Sequence, residues 1–195
     1  KLESKHIFNE HQSLKLTYGG QVNNRKEFDV RRADRSDLPA LSLLQWDQYL
    51  EGIYNHFFDH DCQLKTGIQL RLTDNTNNPE TGILPLIPDY RAYKLGAFAI
   101  FQEEHKKILY ELGARYDMNH LQVVTISQFL PREIERFYHT FHNYSLSSGI
   151  RYRVLPQLKL NLNLGHALRS PEVNELYSAG LHQGVSGIEE GNRNL

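Results

Sequence analysis

The sequence predicts an all-β protein, an antiparallel meander of about seven or eight strands, and three observations support this fold class. Apolar and polar residues alternate with a period of two over most of the chain, which is the pattern of strands with one dry face. The links between these strands are alternately short and long. Tyrosines also recur on one face of a strand at a spacing of eight residues.

The alternation is clearest in the stretch NYSLSSGIRYRVLPQLKLNLNLGHALRSP, residues 143–171. Apart from Ser148, the even positions of its strands are apolar: Tyr144, Leu146, Ile150, Tyr152, Val154, Leu158, Leu160, Leu162 and Leu164. The same period and the turn residues between runs predict strands near 1–8, 12–29, 41–58, 63–73, 92–104, 108–117, 141–155 and 157–167. A weak 3.6-residue apolar stripe near 131–138 is the one competing helical signal.

The lengths of the links between strands indicate the environment of the sheet. Short links are predicted around 9–11, 59–62, 105–107 and 155–157, and long ones over 30–40, 74–91, 118–140 and after 168. Because the two kinds alternate, all short turns lie on one side of the sheet and all long loops on the other. This sorting is typical of a transmembrane β-barrel, which has tight periplasmic turns and long external loops.

The two faces of the predicted sheet support a membrane location. Tyr144 and Tyr152 are eight residues apart on one face, which spans about 20 Å of height at about 3.3 Å per residue and a tilt near 40°. That is close to the apolar band between two aromatic girdles, although large tyrosines also end strands in soluble sheets. The other face carries charged residues, which suit a water-filled or polar interior and a section of a wide barrel wall: Arg71, Glu111, Arg115, Arg151, Arg153 and Lys159.

Composition excludes several other classes. The formal net charge is −1, so we expect no nucleic-acid partner. Cys62 is the only cysteine, so no disulfide forms within the chain. Neither a Gly-x-Ser-x-Gly nor a His-Glu-x-x-His motif is present, and we expect no enzymatic activity.

Residues 164–195, LGHALRSPEVNELYSAGLHQGVSGIEEGNRNL, resemble a segment of the TonB-dependent outer-membrane receptors. That segment carries an Arg-x-Pro box, then Glu-Leu, then Gly-x-His and an acidic Gly-Asn-x-x-Leu. These elements correspond here to Arg169, Pro171, Glu175, Leu176, Gly180, His182, Glu190, Gly191, Asn192 and Leu195. Residues 19–32, 86–104 and 110–117 are also similar to barrel segments of that family.

The resemblance implies a 22-stranded barrel in the lipid of the bacterial outer membrane, with a plug domain and a box that engages the TonB energy-transducing complex. On this expectation residues 1–195 form part of the barrel domain, with the plug and the remaining strands outside the sequence. The implied activity is import of a scarce metal complex, namely an iron chelate, haem or zinc, and no built-in cofactor is expected. The alternative that stays open is a soluble all-β module that binds a ligand or a carbohydrate.

The resemblance also supplies candidate site residues. His182 is the candidate ligand for a metal or metal complex, with Glu189 and Glu190 as possible oxygen ligands. The motif residues Arg169, Pro171, Glu175, Gly191 and Asn192 are expected to be structural. Arg169 is expected to pair with a carboxylate such as Glu175 or to bond loop carbonyls, and Pro171 to end the strand.

Two further stretches contain metal-binding residue types. HFFDHDC, residues 56–62, holds two histidines and the cysteine, but it falls at a strand end and a short turn, so we interpret it as a solvated turn. DNTNNPETG, residues 74–82, is rich in oxygen ligands without the spacing of a calcium loop, and we interpret it as an exposed loop tip.

Overall fold

Eight long strands form one antiparallel sheet in the computed structural model, which describes residues 1–29, 35–59, 61–127, 130–182 and 187–195. The strands are β1 (Leu2–Asn9), β2 (Gln12–Phe28), β3 (Pro39–Asp59), β4 (Cys62–Asn77), β5 (Asp89–His105), β6 (Ile108–Ile126), β7 (Ile134–Leu155) and β8 (Leu158–Ala167). A short helix, α1 (Val173–Tyr177), follows, and the strands β9 (Ala179–His182) and β10 (Gly187–Glu190) form a separate hairpin.

Each long strand pairs with the next one along the chain, so the predicted all-β antiparallel meander is confirmed. The predicted sorting of the links is confirmed as well. Two residues separate the strands at 10–11, 60–61, 106–107 and 156–157, whereas 29–38, 78–88 and 127–133 are longer. All short turns therefore lie at one end of the sheet, which we call the short-turn end, and the long links lie at the long-loop end.

The strands run further toward the long-loop end than the sequence pattern predicts. β6 continues to Ile126 and β7 begins at Ile134, so the predicted long link over 118–140 is wrong and only residues 127–133 connect them. The weak helical stripe near 131–138 forms no helix, and its second half pairs with β6 from Ile134 onward. Backbone pairing across the full length of β6 outweighs the weak local helical signal there.

The register gives the sheet two distinct faces. The apolar face carries the even-numbered residues of each long strand except β5, where it carries the odd-numbered ones. The polar face carries the alternate set. All six charged residues predicted to point inward, from Arg71 to Lys159, fall on the polar face.

The apolar face is exposed in the described structure. Large side chains across it remain more than half accessible, for example Ile68 at 57%, Leu146 at 61% and Leu162 at 60%. A contiguous apolar surface of this extent, on a sheet whose other face is polar, indicates a membrane or protein interface rather than contact with water.

Pairs of aromatic residues frame this face on three strands. Trp46 and Tyr54 in β3, Tyr93 and Phe101 in β5, and Tyr144 and Tyr152 in β7 all lie on the apolar face, each pair eight residues apart. Only the spacing on β7 was predicted from the sequence. Its repetition defines an outer aromatic row near the long-loop end (Trp46, Tyr93 and Tyr144) and an inner row near the short-turn end (Tyr54, Phe101 and Tyr152).

The outer aromatic row steps across the hydrogen-bond register. Trp46 is in register, through Asp74, with Arg91, two residues before Tyr93. Tyr93 is in register, through His120, with Thr140, four residues before Tyr144. Both steps are toward the short-turn end, as expected when strands tilt against a level membrane surface.

Candidate functional site at the long-loop end

The polar face carries a network of bonded charged and polar side chains. Glu51 accepts hydrogen bonds from the Tyr49 hydroxyl and the Gln69 amide, both at 2.5 Å. Arg115 donates two bonds to the carboxylate of Asp117, at 2.7 and 2.5 Å. Such charged pairs suit a wet interior, where a packed apolar core would not accommodate them.

Near the long-loop end the polar face becomes apolar and is covered. Val173, Leu176 and Tyr177 of α1 pack against the polar-face residues Ala92, Leu121 and Val123, and Leu176 is only 1% exposed. The chain after β8 therefore turns back over the polar face. We call this part, residues 168–182 and 187–195, the return segment.

Polar contacts fix the return segment to two strands, β5 and β7. Lys94 in β5 donates to Glu172 at 2.7 Å, and Asn143 in β7 donates to the Ser170 hydroxyl at 2.6 Å. The Tyr177 hydroxyl is hydrogen-bonded to Nε2 of His139, also in β7. These contacts place α1 on the same side of the sheet as the charged network.

Arg193, near the end of the return segment, packs against aromatic rings of β7 and α1. Its guanidinium carbon lies 4.8 Å from the ring centroid of Phe137 and 5.4 Å from that of Tyr177, and its Nη1 is 3.4 Å from the carboxylate of Glu135. The cation thus contacts both the sheet and α1. Contacts of this kind contribute about 0.5–1 kcal/mol at exposed sites.

The predicted pair between Arg169 and Glu175 forms. Arg169 donates two bonds to the carboxylate of Glu175, at 2.7 and 2.6 Å, and its Nη1 also approaches the Ser170 carbonyl at 3.4 Å. Glu175 accepts a third bond from the backbone N–H of Glu172 at 2.8 Å. Arg169, and next the Glu172 amide, lower the pKa of the Glu175 carboxyl to about 2.

The remaining motif residues join the two ends of the return segment. The backbone N–H of Gly191 donates to the Ser178 carbonyl at 2.7 Å, and that of Asn192 donates to the Glu175 carbonyl at 2.8 Å. Pro171 follows the end of β8 at Ala167 and precedes α1. The motif therefore builds a compact fold around α1, in which Glu175 bonds Arg169 through its carboxylate and the backbone of Asn192 through its carbonyl.

The link between β4 and β5 also folds inward. Leu86 packs with Leu41 and Leu43 of β3, and Ile87 contacts both this cluster and the one beneath α1. The backbone N–H of Ala179 donates to the Leu86 carbonyl at 3.1 Å, which joins this link to the return segment. Two separate long links therefore cover one end of the polar face together.

The prediction that residues 74–82 form an exposed loop tip is wrong. Residues 74–77 belong to β4, Asn75 is buried, and its amide donates to the Pro88 carbonyl at 3.2 Å. Pro79–Thr81 form one 3-10 turn, whose Thr81 is buried as well. These polar side chains are used to hold the β4–β5 link against the sheet.

A cavity of about 260 Å³ lies where the β4–β5 link meets the return segment. Its lining combines apolar side chains of the β4–β5 link with Glu27, Asn77 and Asn78, and it extends to Ala179 and Gly180 at the start of β9. A partly polar cavity at the loop end of a strand wall is a candidate binding site.

The predicted ligand residues lie on the hairpin that begins at this cavity. Register places Glu189 opposite Gly180 and Glu190 opposite Ala179, so the two carboxylates occupy opposite faces of the hairpin. They do not form one pair of oxygen ligands. His182 pairs with Gly187 through the backbone, while its imidazole lies outside the part of the chain that the structure describes.

The cluster at 56–62 shows no shared metal site among its described residues. His56 lies on the apolar face, with its ring centroid 4.3 Å from that of Phe58, and Asp61 belongs to the turn before Cys62. His60 lies outside the described residues. Throughout the described part of the chain, no three His, Cys, Asp or Glu side chains are grouped so that they could hold a metal ion.

A scan against protein families agrees with this wall of strands and its covered end. Residues 2–195 match the family described as TonB dependent receptor-like, beta-barrel. The chain belongs to the TonB-dependent receptor β-barrel family. Members of this family are transporters rather than enzymes, they reside in the bacterial outer membrane, and they work with TonB. A search of curated proteins gave no match.

Membership of the TonB-dependent receptors assigns the faces of the sheet. The apolar face contacts lipid and the polar face lines the barrel lumen, while the long-loop end is external and the short-turn end periplasmic. In the described residues no helix is long and apolar enough to cross a membrane. Because the return segment covers the polar face at the long-loop end, it lies inside the external mouth of the lumen.

Sequence reasoning missed the groups that fix the return segment. α1, His139, Tyr177 and Arg193 had no predicted role, because their contacts join residues far apart in the sequence, such as Glu135 and Arg193, which are 58 positions apart. One local signal was available. Glu172 and Glu175 have the spacing of a helix start. The carboxylate of the third helical residue, Glu175, accepts a hydrogen bond from the backbone N–H of Glu172, the residue that precedes the helix.

Proposed function

We propose that this chain is part of the barrel of a transporter that imports a scarce metal complex, either an iron chelate, haem or zinc. Family membership supports transport across the outer membrane. The observation that carries the proposal is the cavity at the external mouth, which is lined by two inward-folded links and continues into the hairpin bearing His182, Glu189 and Glu190.

In this proposal the external mouth captures the complex. Imidazole is a suitable ligand for iron, haem iron or zinc, and carboxylates add oxygen ligands. Because Glu189 and Glu190 lie on opposite faces of the hairpin, a cargo bound to one face could be ligated by only one of the two carboxylates. The cargo is a substrate that passes through, so no resident cofactor is required.

We further propose that the eight strands are a section of a 22-stranded wall around a plug domain, and that TonB drives release through that plug. Among the described strands, β1 and β8 are the two edges of the sheet and do not pair with one another. Open edges would expose unpaired backbone groups to lipid, which a closed wall avoids. Outer-membrane lipid is then the partner of the apolar face.

Calorimetric titration of the full-length receptor in detergent tests the cargo. Zinc, a ferric siderophore and haemin are titrated separately into the wild type, His182→Ala and, as a control at the short-turn end, His105→Ala. We expect one of the three to bind below micromolar concentration, and His182→Ala to weaken it about tenfold, roughly 1.4 kcal/mol. Unchanged binding by His182→Ala would remove the ligand role of His182, and absence of binding by all three would contradict the metal class.

A further inference from the structure

The guanidinium of Arg193 lies among two aromatic rings and a carboxylate at the external mouth. Glu135 and Phe137 are alternate residues at the start of β7, on the polar face. The ring of Tyr177 in α1 packs beside Phe137, with 5.3 Å between the centroids and 39° between the planes. The guanidinium carbon is within 5.4 Å of both centroids, and Glu135 is the counter-ion. We call Glu135, Phe137 and Tyr177 the cation cage.

The rings of the cation cage are fixed by contacts that do not involve Arg193. Tyr177 is only 6% exposed, and its hydroxyl is hydrogen-bonded to Nε2 of His139. Phe137 belongs to a paired strand and packs against the apolar cluster beneath α1. Both rings therefore keep their positions when the guanidinium leaves, and their faces continue to attract a cation.

Arg193 is a replaceable occupant of the cation cage. Its side chain is 42% exposed and that of Glu135 is 35% exposed, so the cage is open to water. Among the described residues, Asn192 is the last whose backbone bonds to α1, and the next backbone contact is from the N–H of Asn194 to the Asn192 side chain. Release of Arg193 thus breaks only cation–π contacts and one exposed ion pair, all of which are weak.

We propose that the cation cage binds the guanidinium or primary ammonium group of a small external molecule, and that Arg193 occupies the cage until such a molecule displaces it. Guanidinium groups stack on aromatic faces and pair with carboxylates, so an external cation gains the contacts that Arg193 makes. Its binding frees Arg193 from β7 and loosens the end of the return segment. This site goes beyond the proposed cargo, because the group recognised is an organic cation rather than a metal ion.

The cage is tested with ethylguanidinium on the full-length receptor in detergent. Phe137 is replaced by 4-fluorophenylalanine, whose fluorine resonance reports on the occupant of the cage. Ethylurea, which has a similar shape and no charge, is the matched ligand control. The variants are Arg193→Ala, which empties the cage, and the double variant Glu135→Gln, Arg193→Ala. Arg153→Gln removes an arginine paired with Glu104 at the short-turn end and is the matched protein control.

We expect a saturable fluorine shift with ethylguanidinium and none with ethylurea. Arg193→Ala should bind about tenfold more tightly than the wild type and Arg153→Gln, because no internal cation competes for the cage. The double variant should bind about threefold more weakly than Arg193→Ala, since the carboxylate is gone. An equal shift with ethylurea, or equal affinity in Arg193→Ala and the wild type, would overturn the proposal.

A second measurement uses the wild type and needs no substitution at Arg193. Saturating ethylguanidinium should accelerate hydrogen exchange of the Asn194 amide and leave that of Leu176 in α1 unchanged, whereas ethylurea should alter neither. Unchanged exchange of Asn194 at saturation would overturn the displacement of Arg193. Because no metal is added, failure here is distinct from failure of the cargo titration.

Discussion

At the scale of single residues, Gly191 is the position where the fold of the return segment allows least change. A Cβ built there would lie 2.5 Å from the backbone carbon of Leu176 and 2.5 Å from the backbone nitrogen of Tyr177. Backbone atoms of a packed helix cannot move aside as a flexible side chain can. The motif has a glycine at this position because the backbone of residue 191 touches the backbone of α1.

We predict that Gly191→Ala detaches residues 187–195 from α1. The overpacking should destabilise this contact by about 1–3 kcal/mol, measured as faster hydrogen exchange of the Gly191 and Asn192 amides. Gly19→Ala is the control, because a Cβ at Gly19 has no atom within 4 Å. Equal exchange in Gly191→Ala and the wild type would show that the close approach does not exist.

Glu175 gives the return segment a dependence on pH. Its carboxyl has a pKa of about 2 in the folded chain, against an ordinary value of 4.5. A lowered pKa adds stability that is complete above about pH 4.5 and is lost as the pH falls toward 2. The segment should therefore stay docked under mildly acidic conditions.

Pepsin cleavage within residues 169–182, normalised to a free peptide of that sequence, measures this effect between pH 5 and pH 2. We predict little cleavage at pH 5 and a steady rise toward pH 2. Glu175→Gln should show a smaller rise over the same range, because the side chain at position 175 then takes up no proton. A wild-type rise no steeper than that of Glu175→Gln would contradict the assigned role of the Arg169 pair.

Single residues also show how far sequence reasoning reached. Pairing of Arg169 with Glu175 was predictable, because the two are close in sequence and opposite in charge. Contacts of Tyr177 with His139, and of Arg193 with Phe137, depend on a chain reversal that no local pattern encodes. The ligand role of His182 stays a prediction.

At the scale of elements, α1 is held by its apolar side. A five-residue helix is far too short to be stable alone, so its burial against β5 and β6 must supply the stability. Leu176 is the most buried of its residues.

We predict that Leu176→Ala undocks α1 while the long strands stay folded. The expected cost is about 2–5 kcal/mol, detected as protease cleavage after β8 with an unchanged unfolding temperature of the barrel. Asn174→Ala, on the exposed side of the same helix, should stay within about 0.5 kcal/mol of the wild type. Loss of the whole barrel in Leu176→Ala would mean that the return segment is not a separate unit.

Strand positions were predictable from the period of two, and strand ends were not. Between Met118 and Ile126 the alternation changes phase, because His120 and Gln122 lie on the apolar face while the apolar Leu121 and Val123 lie on the polar face beneath α1. β7 likewise begins among charged residues that stand above the membrane. Hydrogen bonding to a long neighbouring strand extends such strands. The sequence of one strand does not show how long its neighbour is, so these strand ends could not be predicted.

At the scale of the whole molecule, a transmembrane wall requires that one face of the sheet contacts lipid along its entire width. Ile68 stands in register with Ala97, which is four residues from Tyr93 and four from Phe101, midway between the aromatic rows. Gln69, its neighbour in sequence, lies on the polar face and donates to Glu51.

We predict opposite results for a lysine at these two adjacent positions. Ile68→Lys should destabilise the folded receptor in lipid vesicles by about 2–4 kcal/mol in urea unfolding, because the charge enters hydrocarbon. Gln69→Lys should have little effect, since Glu51 remains beside it as a partner. Similar losses in both variants would indicate that both faces are buried, as in a soluble sandwich.

The most direct test of the central claim is a spin-label scan along β8, residues 158–164, in the full-length receptor reconstituted in lipid on a cysteine-free background. Accessibility to oxygen, which concentrates in hydrocarbon, is compared with accessibility to a water-soluble nickel complex. We predict oxygen maxima at the even positions Leu158, Leu160, Leu162 and Leu164, and nickel maxima at Lys159, Asn161 and Asn163. Absence of this alternation, or its reversal, would contradict a strand wall with lipid on one face and a water-filled lumen on the other.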